Sequence, residues 1–599
     1  MTVADPPRAV TARDEAALPR SRDRVSVGFL ALLAVILGSL PGFLEVPIGF
    51  YDESAVLLGA RLRSQGLLPY VDFYTNYGPL GYDLMRPFLR LRTFGLPYRT
   101  AQMAVFVLLT IVLLWWARDT VRRNAFALLA VVTALNLSAV AFGTHFFGSA
   151  LAFATLAVFA HGSGSKASAP ERRRAAALRI LSGVCLGLLV LVRPVFSLYT
   201  GGVLAAAAVL APAADAGGRR RAFGHLAVCF AVAVLVALAV WGALYPEVPV
   251  GEAFFAALVV PSATFRSSAR ALLPYFLPLD TPPPVQLGLA AVVSASLFLL
   301  ATSFAASTRN AGARLSVGTG VLIAGIAPAI LATARRPGVT MSLVSAALFG
   351  AALAALFFAR DDVSRSEPLR HAALFGLGAM AFQHYFWSRA DAVHLTPSLC
   401  LAGAAALVAA PRFAPGFGGL RAALLLPGAV VLFATSYPIV HSPRALVRAA
   451  TSGLAGPWPA SSVPADGLKA VELAERMAEP GSRFVAVASS QRRTDASAIL
   501  LFLLSPRRPY TRWYSYDPGI QDSPFVQSQM IGELERSGSE TAVIWPADPP
   551  EPPGEAPATP LDRRIADLYP IRLARFGVYE VRGRAPGVSP AGQPTAPRP

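Results

Sequence analysis

Residues 178–212 read LRILSGVCLGLLVLVRPVFSLYTGGVLAAAAVLAP. The stretch is almost continuously apolar, with Arg193-Pro194 near its middle. As one helix its ~35 residues would run about 52 Å at ~1.5 Å per residue, too long for a hydrocarbon core of ~30 Å. Arg193 would then sit at mid-membrane, at a cost of about 2.5–3.5 kcal/mol on insertion scales. Two short helices with Arg193-Pro194 at the membrane face avoid both difficulties. Pro194 suits the first position of the second helix, where its missing N–H is not needed. This split decides the fold, because it sets the number of crossings to an odd value and so puts the two ends of the chain on opposite sides.

The same pattern extends through the chain. Hydrophobic residues make up 54% of the sequence and charged residues only 15%, so the well-charged surface of a soluble multidomain protein is missing. Apolar runs of about 17–24 residues, separated by Arg-rich or Pro/Gly-rich breaks, have the length of transmembrane helices. The net charge of +18 invites a nucleic-acid reading, but the excess Arg lies in short breaks between apolar runs, where the positive-inside rule puts it. No nucleic-acid partner is expected. The three cysteines, Cys185, Cys229 and Cys400, all fall within apolar runs, which argues against a disulfide framework or a CxxC metal site.

Arg counts assign a side to each break. Arg8, Arg13, Arg20, Arg22 and Arg24 precede the first span (25–44) and place the N-terminus in the cytoplasm. Every second break is basic: Arg118 to Arg123, Lys166 to Arg179, Arg219 to Arg221, Arg309 to Arg314, Arg360 to Arg370, and Arg412 to Arg421. The expected fold class is a polytopic α-helical membrane protein of about thirteen transmembrane helices with a small extracytoplasmic α/β domain at its C-terminus. Residues 1–24 form a disordered cytoplasmic segment and 25–440 the transmembrane domain, with a long first outer loop at 45–99. Residues 441–583 form the outer domain, and 584–599 a disordered tail. Within the outer domain, Gly467–Ala478 and Phe525–Ser537 have helical patterns, and Phe484–Ala488 and Thr541–Trp545 have strand patterns. The expected location is the plasma (inner) membrane, multi-pass, among membrane lipid.

The first outer loop carries the most chemistry. It opens with Phe50-Tyr51-Asp52-Glu53-Ser54, followed by a helical stretch that stops near Gly66. Leu68-Pro69-Tyr70-Val71-Asp72-Phe73 and Asn76-Tyr77-Gly78-Pro79-Leu80 come next. Two adjacent carboxylates at a membrane surface are costly to desolvate without a use or a partner. One of them can take a proton from a hydroxyl. The other reading is local: Asp52 caps a helix and Glu53 favours its first turn through the dipole.

Asp52-Glu53, Gly66-Leu67-Leu68-Pro69-Tyr70-Val71-Asp72-Phe73 and Gly78-Pro79-Leu80, in this order after a first span, resemble the GT-C superfamily of membrane glycosyltransferases. Its members include the protein O-mannosyltransferases and the lipid A aminoarabinose transferase. The resemblance is carried by residues 52–80 and extends loosely to the whole chain through the span count and the outward C-terminal domain. It implies that Asp52 is the base that activates an acceptor hydroxyl, with Glu53 as helper or acceptor ligand. It implies a polyprenyl-phosphate sugar as donor and inversion at the anomeric carbon. Several relatives place Lys before the Pro-Leu element, where this chain has Tyr77-Gly78, so phosphate contacts must come from elsewhere.

Phe386-Trp387-Ser388-Arg389-Ala390-Asp391-Ala392-Val393-His394 is the first candidate, an Arg-x-Asp-x-x-His turn familiar from bacterial relatives. Arg389 can bind phosphate bidentately, His394 can add a donor, and Asp391 can orient either one or hold sugar hydroxyls. The same turn also reads as an interfacial Arg–Asp pair beside an aromatic belt. Arg193 is a second phosphate candidate, or a snorkelling side chain. Arg266 and Arg270 are a third. Asp72 and Tyr77 complete the substrate-binding set. His145 and His384 read as packed interfacial residues.

No metal ligand set with convincing spacing occurs and no cofactor is expected, although Asp52, Glu53, Asp72 and Asp391 could converge on a divalent cation. The expected activity is transfer of a hexosyl or pentosyl unit to a cell-envelope glycan, lipid or protein on the outer side. The alternatives are a transporter or flippase of lipid-linked sugars, or a non-catalytic scaffold of an envelope polysaccharide assembly complex.

Overall fold

The computed structural model of the chain describes residues 40–46, 52–90, 95–120, 146–162, 169–209, 216–254, 437–452, 463–488, 498–514, 523–545 and 559–586, with short runs such as 374–379 and 520–521 and single positions such as 371 and 401. Most of the first span, the spans expected between 257 and 436 and the 387–394 turn lie outside the described residues, as do 1–24 and 587–599.

The first loop holds α1 (Asp52–Ser64) and the short α2 (Pro79–Met85), which Pro79 starts. A series of apolar helices follows: α3 (Leu96–Thr120), α4 (Phe146–Gly162), α5 (Ala169–Val192), α6 (Pro194–Val209) and α7 (Ala216–Leu244). The short α8 (Val250–Phe254) comes after them. The 178–212 stretch does break at Arg193. The Arg193 N–H still closes the last turn of α5 on the Leu189 carbonyl at 2.8 Å, but Pro194 has no N–H to continue the ladder and begins α6 instead. One expectation needs correcting. Arg172, Arg173, Arg174, Arg220 and Arg221 are not in loops but on the exposed opening turns of α5 and α7, which begin before the apolar runs.

The α5 and α7 backbones approach closely because α5 offers glycine at two successive turns. A methyl group on Gly183 would lie 2.6 Å from the Cys229 carbonyl oxygen, and one on Gly187 would lie 2.6 Å from that of Ala233. This four-residue spacing of small residues is how apolar helices pack when dispersion replaces the hydrophobic effect. Both helices are long and apolar enough to cross a membrane, and the apolar part of α7 is only 17% buried. Val234, Leu235 and Leu238 are 56%, 66% and 59% exposed.

A helix α9 (Tyr437–Ser452) runs without interruption across residue 440, where the sequence pattern placed the start of the C-terminal domain. It packs on the 3-10 turn Leu40–Glu45, and Arg448 pairs with Glu45 at 3.1 Å.

The C-terminal region is an α/β domain. In chain order it comprises α10 (Ala465–Arg476), β1 (Ala486–Ala488), α11 (Ile499–Leu504), α12 (Pro524–Glu535), β2 (Thr541–Trp545), α13 (Pro560–Leu568), β3 (Ile571–Phe576) and β4 (Tyr579–Gly583). The sheet order is β1-β2-β4-β3, with β1 and β2 parallel and the other pairs antiparallel. β2 is central and buried, whereas β3 is an exposed edge that carries Arg572 and Arg575. Ser523 caps α12, and a Thr559–Asp562 capping box starts α13, each with proline at the first turn. Ala470, Val471 and Ala474 of α10 are buried on the sheet side. The expected strand Thr541–Trp545 and the helices α10 and α12 are present. α11, α13 and the β3–β4 hairpin are additional.

Candidate active site

α1 begins at Asp52, so Asp52 and Glu53 both occupy its first turn, where the helix dipole favours carboxylates. Glu53 has a specific partner. Arg99, 1% exposed, donates from both terminal nitrogens to the two Glu53 oxygens at 2.8 Å each. The same guanidinium donates to the Gln102 side chain at 2.6 Å and the Val46 carbonyl at 3.0 Å. A bidentate pair of this kind fixes orientation as well as charge. It holds the start of α1 against α3 and against Val46 at the head of the loop. Asp52, one residue earlier, stands half-buried at the helix start.

Tyr98 adjoins this pair. Its ring lies 5.3 Å from the Arg99 guanidinium and packs edge-on against Phe146. Its hydroxyl is buried and has no hydrogen-bond partner among the described residues. Glu53, Tyr77 and Asp52 all lie within its electrostatic surroundings.

Beyond α1 the loop makes a tight turn. Asp72 accepts the Leu68 N–H at 2.7 Å, and the Tyr70 N–H donates to the Phe73 carbonyl at 2.8 Å. Tyr70 adopts a φ of 69°, a strained value for a bulky residue. Asp72, exposed, thus serves the turn itself. The Tyr70 hydroxyl donates to the Tyr77 carbonyl at 2.5 Å. Burial pushes this phenol well above its ordinary range, so it remains a neutral donor.

The Gly78-Pro79 element is pressed onto the α5–α6 junction. The Gly78 N–H donates to the Val192 carbonyl at 3.0 Å, and a β-carbon on Gly78 would collide with the Leu191 carbonyl. This approach puts Asn76 and Tyr77 beside Arg193, which is 6% exposed. The guanidinium lies 4.1 Å from the Tyr77 ring centre and donates to the Asn76 side-chain oxygen at 3.1 Å.

Two cavities flank the junction. A small one of about 30 Å³ is lined by Val56, Tyr77, Tyr82, Phe146 and Arg193, among others. A groove of about 590 Å³ is lined almost wholly by apolar groups, including Tyr70, Pro79, Leu191, Pro194, Leu198 and Trp241.

The far end of α1 is held too. Arg61 donates to the carbonyls of Phe502, Leu503 and Ser505 at 2.7–2.8 Å, capping the end of α11. Arg63 pairs with Asp83 at 3.4 Å, and Asp83 accepts the Tyr245 hydroxyl at 2.6 Å. The Tyr74 N–H donates to the Arg512 carbonyl at 2.8 Å, and the Tyr74 ring lies on Trp513 with centres 4.8 Å apart.

Of the residues singled out by sequence, Asp52, Glu53, Tyr77 and Arg193 thus lie in one region, and Asp72 lies on its turn. Arg389, Asp391 and His394 lie outside the described residues, as do Arg266, Arg270, His145 and His384. Among the described residues no group of three or more His, Cys, Asp or Glu side chains gathers.

Sequence reasoning missed Arg99, Arg61, Tyr98 and the Asp83–Tyr245 contact. A signal existed for Arg99. An arginine at the non-basic end of an apolar run departs from the alternation of the other breaks and needs a carboxylate, which the loop supplies.

No protein-family model matches the chain, and no curated protein matches it in sequence. Solved structures similar to it include the Archaeoglobus fulgidus oligosaccharyltransferase in the apo form, with 14% identity and a TM-score of 0.45 over 87% of this chain and 70% of that one. The same enzyme tethered to an acceptor peptide gives 14% identity and a TM-score of 0.47, over 86% and 68% of the two chains. ArnT from Cupriavidus metallidurans bound to undecaprenyl phosphate gives 15% identity and a TM-score of 0.41, over 94% and 98%. Likeness at this level carries no argument about chemistry.

Proposed function

We propose that this chain is a polytopic membrane glycosyltransferase of GT-C type that moves a hexosyl or pentosyl unit from a polyprenyl-phosphate donor to a cell-envelope acceptor. The transmembrane domain spans the inner membrane about thirteen times, with the N-terminus cytoplasmic and the first loop and C-terminal domain outside. The exposed apolar side chains of α7 support membrane burial, since a water-facing helix would not present them in such density.

The observation that carries the functional reading is the apolar groove of about 590 Å³ at the α5–α6 junction, with Arg193 of the same junction lining the small neighbouring cavity. An amphiphile with an anionic head and a hydrocarbon tail matches both features. The groove reaches Tyr70 and Pro79, in the loop whose helix begins with Asp52.

In the proposed reaction Asp52 takes the proton from an acceptor hydroxyl as its oxygen attacks the anomeric carbon. The new carbon–oxygen bond forms on the face opposite the phosphate, and the bond from the anomeric carbon to the phosphate oxygen breaks. Configuration inverts and polyprenyl phosphate leaves with the bonding electrons. Arg193 and Arg389 stabilise the developing phosphate charge, with His394 as a further donor. Asp391, Asp72 and Tyr77 bind sugar hydroxyls. Glu53, held by Arg99, fixes the turn that presents Asp52.

Transfer from radiolabelled polyprenyl-phosphate sugars in membranes tests the reading, comparing wild type with Asp52→Asn. Loss of at least a hundredfold in rate is expected, the low end of general-base contributions. Equal transfer by both proteins would sink the assignment of Asp52. Wild-type translocation of the lipid-linked sugar without transfer would favour a flippase instead.

A further inference from the structure

We infer that Arg61 is a positioning residue that couples the C-terminal domain to Asp52. The inference rests on the reading of Asp52 as the base. Asp52 and Arg61 are carried by one helix, α1, about 14 Å apart along its axis. The N-terminal end of the helix is fixed by the Glu53–Arg99 pair. Its other end is fixed by two contacts of different kinds. Arg63 reaches Asp83 within the same loop. Arg61 instead leaves the loop and enters the C-terminal domain, more than 400 residues along the chain.

Three features make Arg61 more than an adventitious contact. Its acceptors are the orphan carbonyls at the end of α11, which have no partner within their own helix. A cation at a helix C-terminus is favoured by the dipole. The planar guanidinium serves three carbonyls at once, which an ammonium cannot reproduce. Burial lowers its pKa to about 10, so it remains cationic at neutral pH.

The contact also has company. Tyr74 donates to the Arg512 carbonyl and lies on Trp513, and Phe73 lies 6.0 Å from Tyr514. The C-terminal domain therefore grips the loop at the helix and again at the turn that follows it. Movement of the domain is transmitted to α1 as a whole, because a helix moves as a rigid rod. The domain thereby sets where the Asp52 carboxylate sits relative to the α5–α6 junction.

The test uses the full-length chain in detergent or nanodiscs, comparing wild type, Arg61→Lys and Arg61→Gln. Backbone hydrogen exchange is followed at 52–64 and at 499–505. Transfer from polyprenyl-phosphate sugar is measured as separate kcat and KM. In Arg61→Gln, exchange is expected to rise about tenfold in both segments. kcat is expected to fall about tenfold, with KM for the donor within twofold. Arg61→Lys should fall between wild type and Arg61→Gln, and it retains the charge should the glutamine variant not fold. Faster exchange at 499–505 alone would show that Arg61 only caps α11, and it overturns the coupling whatever the transfer assay reads. Faster exchange in both segments with unchanged kcat overturns the positioning role. Absence of transfer by the wild type strikes the reading of Asp52 instead, and the exchange result still decides whether domain and helix are coupled.

Discussion

The first loop and the C-terminal domain satisfy their polar groups in opposite ways. Apart from the end of α11 and the Arg512 carbonyl, which the loop serves, the C-terminal domain does so internally. Glu475 of α10 accepts from Ser505 at 2.5 Å and from Arg507 at 2.9 Å, and Arg507 also donates to Ser482. Thr511 bonds Glu533, and Arg564 pairs with Glu535. The first loop instead sends its charges outward. Glu53 pairs with Arg99 of α3, Arg61 with the end of α11, and Asp83 accepts from Tyr245 beyond α7. The domain has the makings of an independent fold, whereas the loop takes its shape from what surrounds it. A loop held on three sides is a suitable carrier for a base whose position matters, since reaction geometry tolerates little misplacement.

The largest expected effect comes from the loop. Arg99→Leu leaves the Glu53 carboxylate partly buried without its partner. Stability should fall by about 3–5 kcal/mol, read as a lowered Tm of the detergent-solubilised chain. Replacing both members, Glu53→Leu with Arg99→Leu, should restore more than half of that loss, because the stranded charge is gone. A double variant no more stable than the single one would show that the pair contributes packing rather than charge compensation, and the contrast with the domain would weaken.

Glu475→Gln tests the other side of the comparison. It removes the carboxylate shared by Ser505 and Arg507, and should destabilise the domain by about 1–3 kcal/mol. Here the effect should stay within the domain and the helix that Arg61 ties to it. Hydrogen exchange should quicken at 465–488 and 498–510, reach 52–64 only through the Arg61 contact, and remain unchanged at 96–120, the helix that carries Arg99. Quickening at 96–120 would mean that the domain is no more self-contained than the loop.

How much of this could be read from sequence follows the same division. The break at Arg193-Pro194 was legible because length, charge and proline agree on one position. Thr541–Trp545 was legible because a buried central strand is a continuous apolar run. The β3–β4 hairpin was not. Ile571–Phe576 is an exposed edge strand with arginine at two of its six positions, so its alternation carries no core signal. Six-residue α11 is too short to show a helical period. In the site, the Asp52-Glu53 pair was visible, but the division of labour within it was not. That division depends on Arg99, 46 residues away, and no local pattern links the two. The three contacts of Arg61 with backbone carbonyls leave no trace in side-chain identity at 502, 503 and 505.

Tyr98→Phe is the smallest change and probes a polar group that, among the described residues, neither strategy serves. The Tyr98 hydroxyl is buried beside the Glu53–Arg99 pair and makes no hydrogen bond among the described residues. A buried group left unsatisfied costs about 1–3 kcal/mol, and phenylalanine keeps the ring that packs edge-on against Phe146. The variant should therefore be more stable than wild type, by about 1 kcal/mol, as a raised Tm. If transfer also falls, the hydroxyl is kept at a cost in stability because a bound substrate satisfies it, as happens where function and stability compete. If transfer is unchanged, it faces a void and the cost is incidental. A lowered Tm would break the comparison at this point, because the hydroxyl would then have a stabilising partner, as the Glu475 carboxylate has in the C-terminal domain.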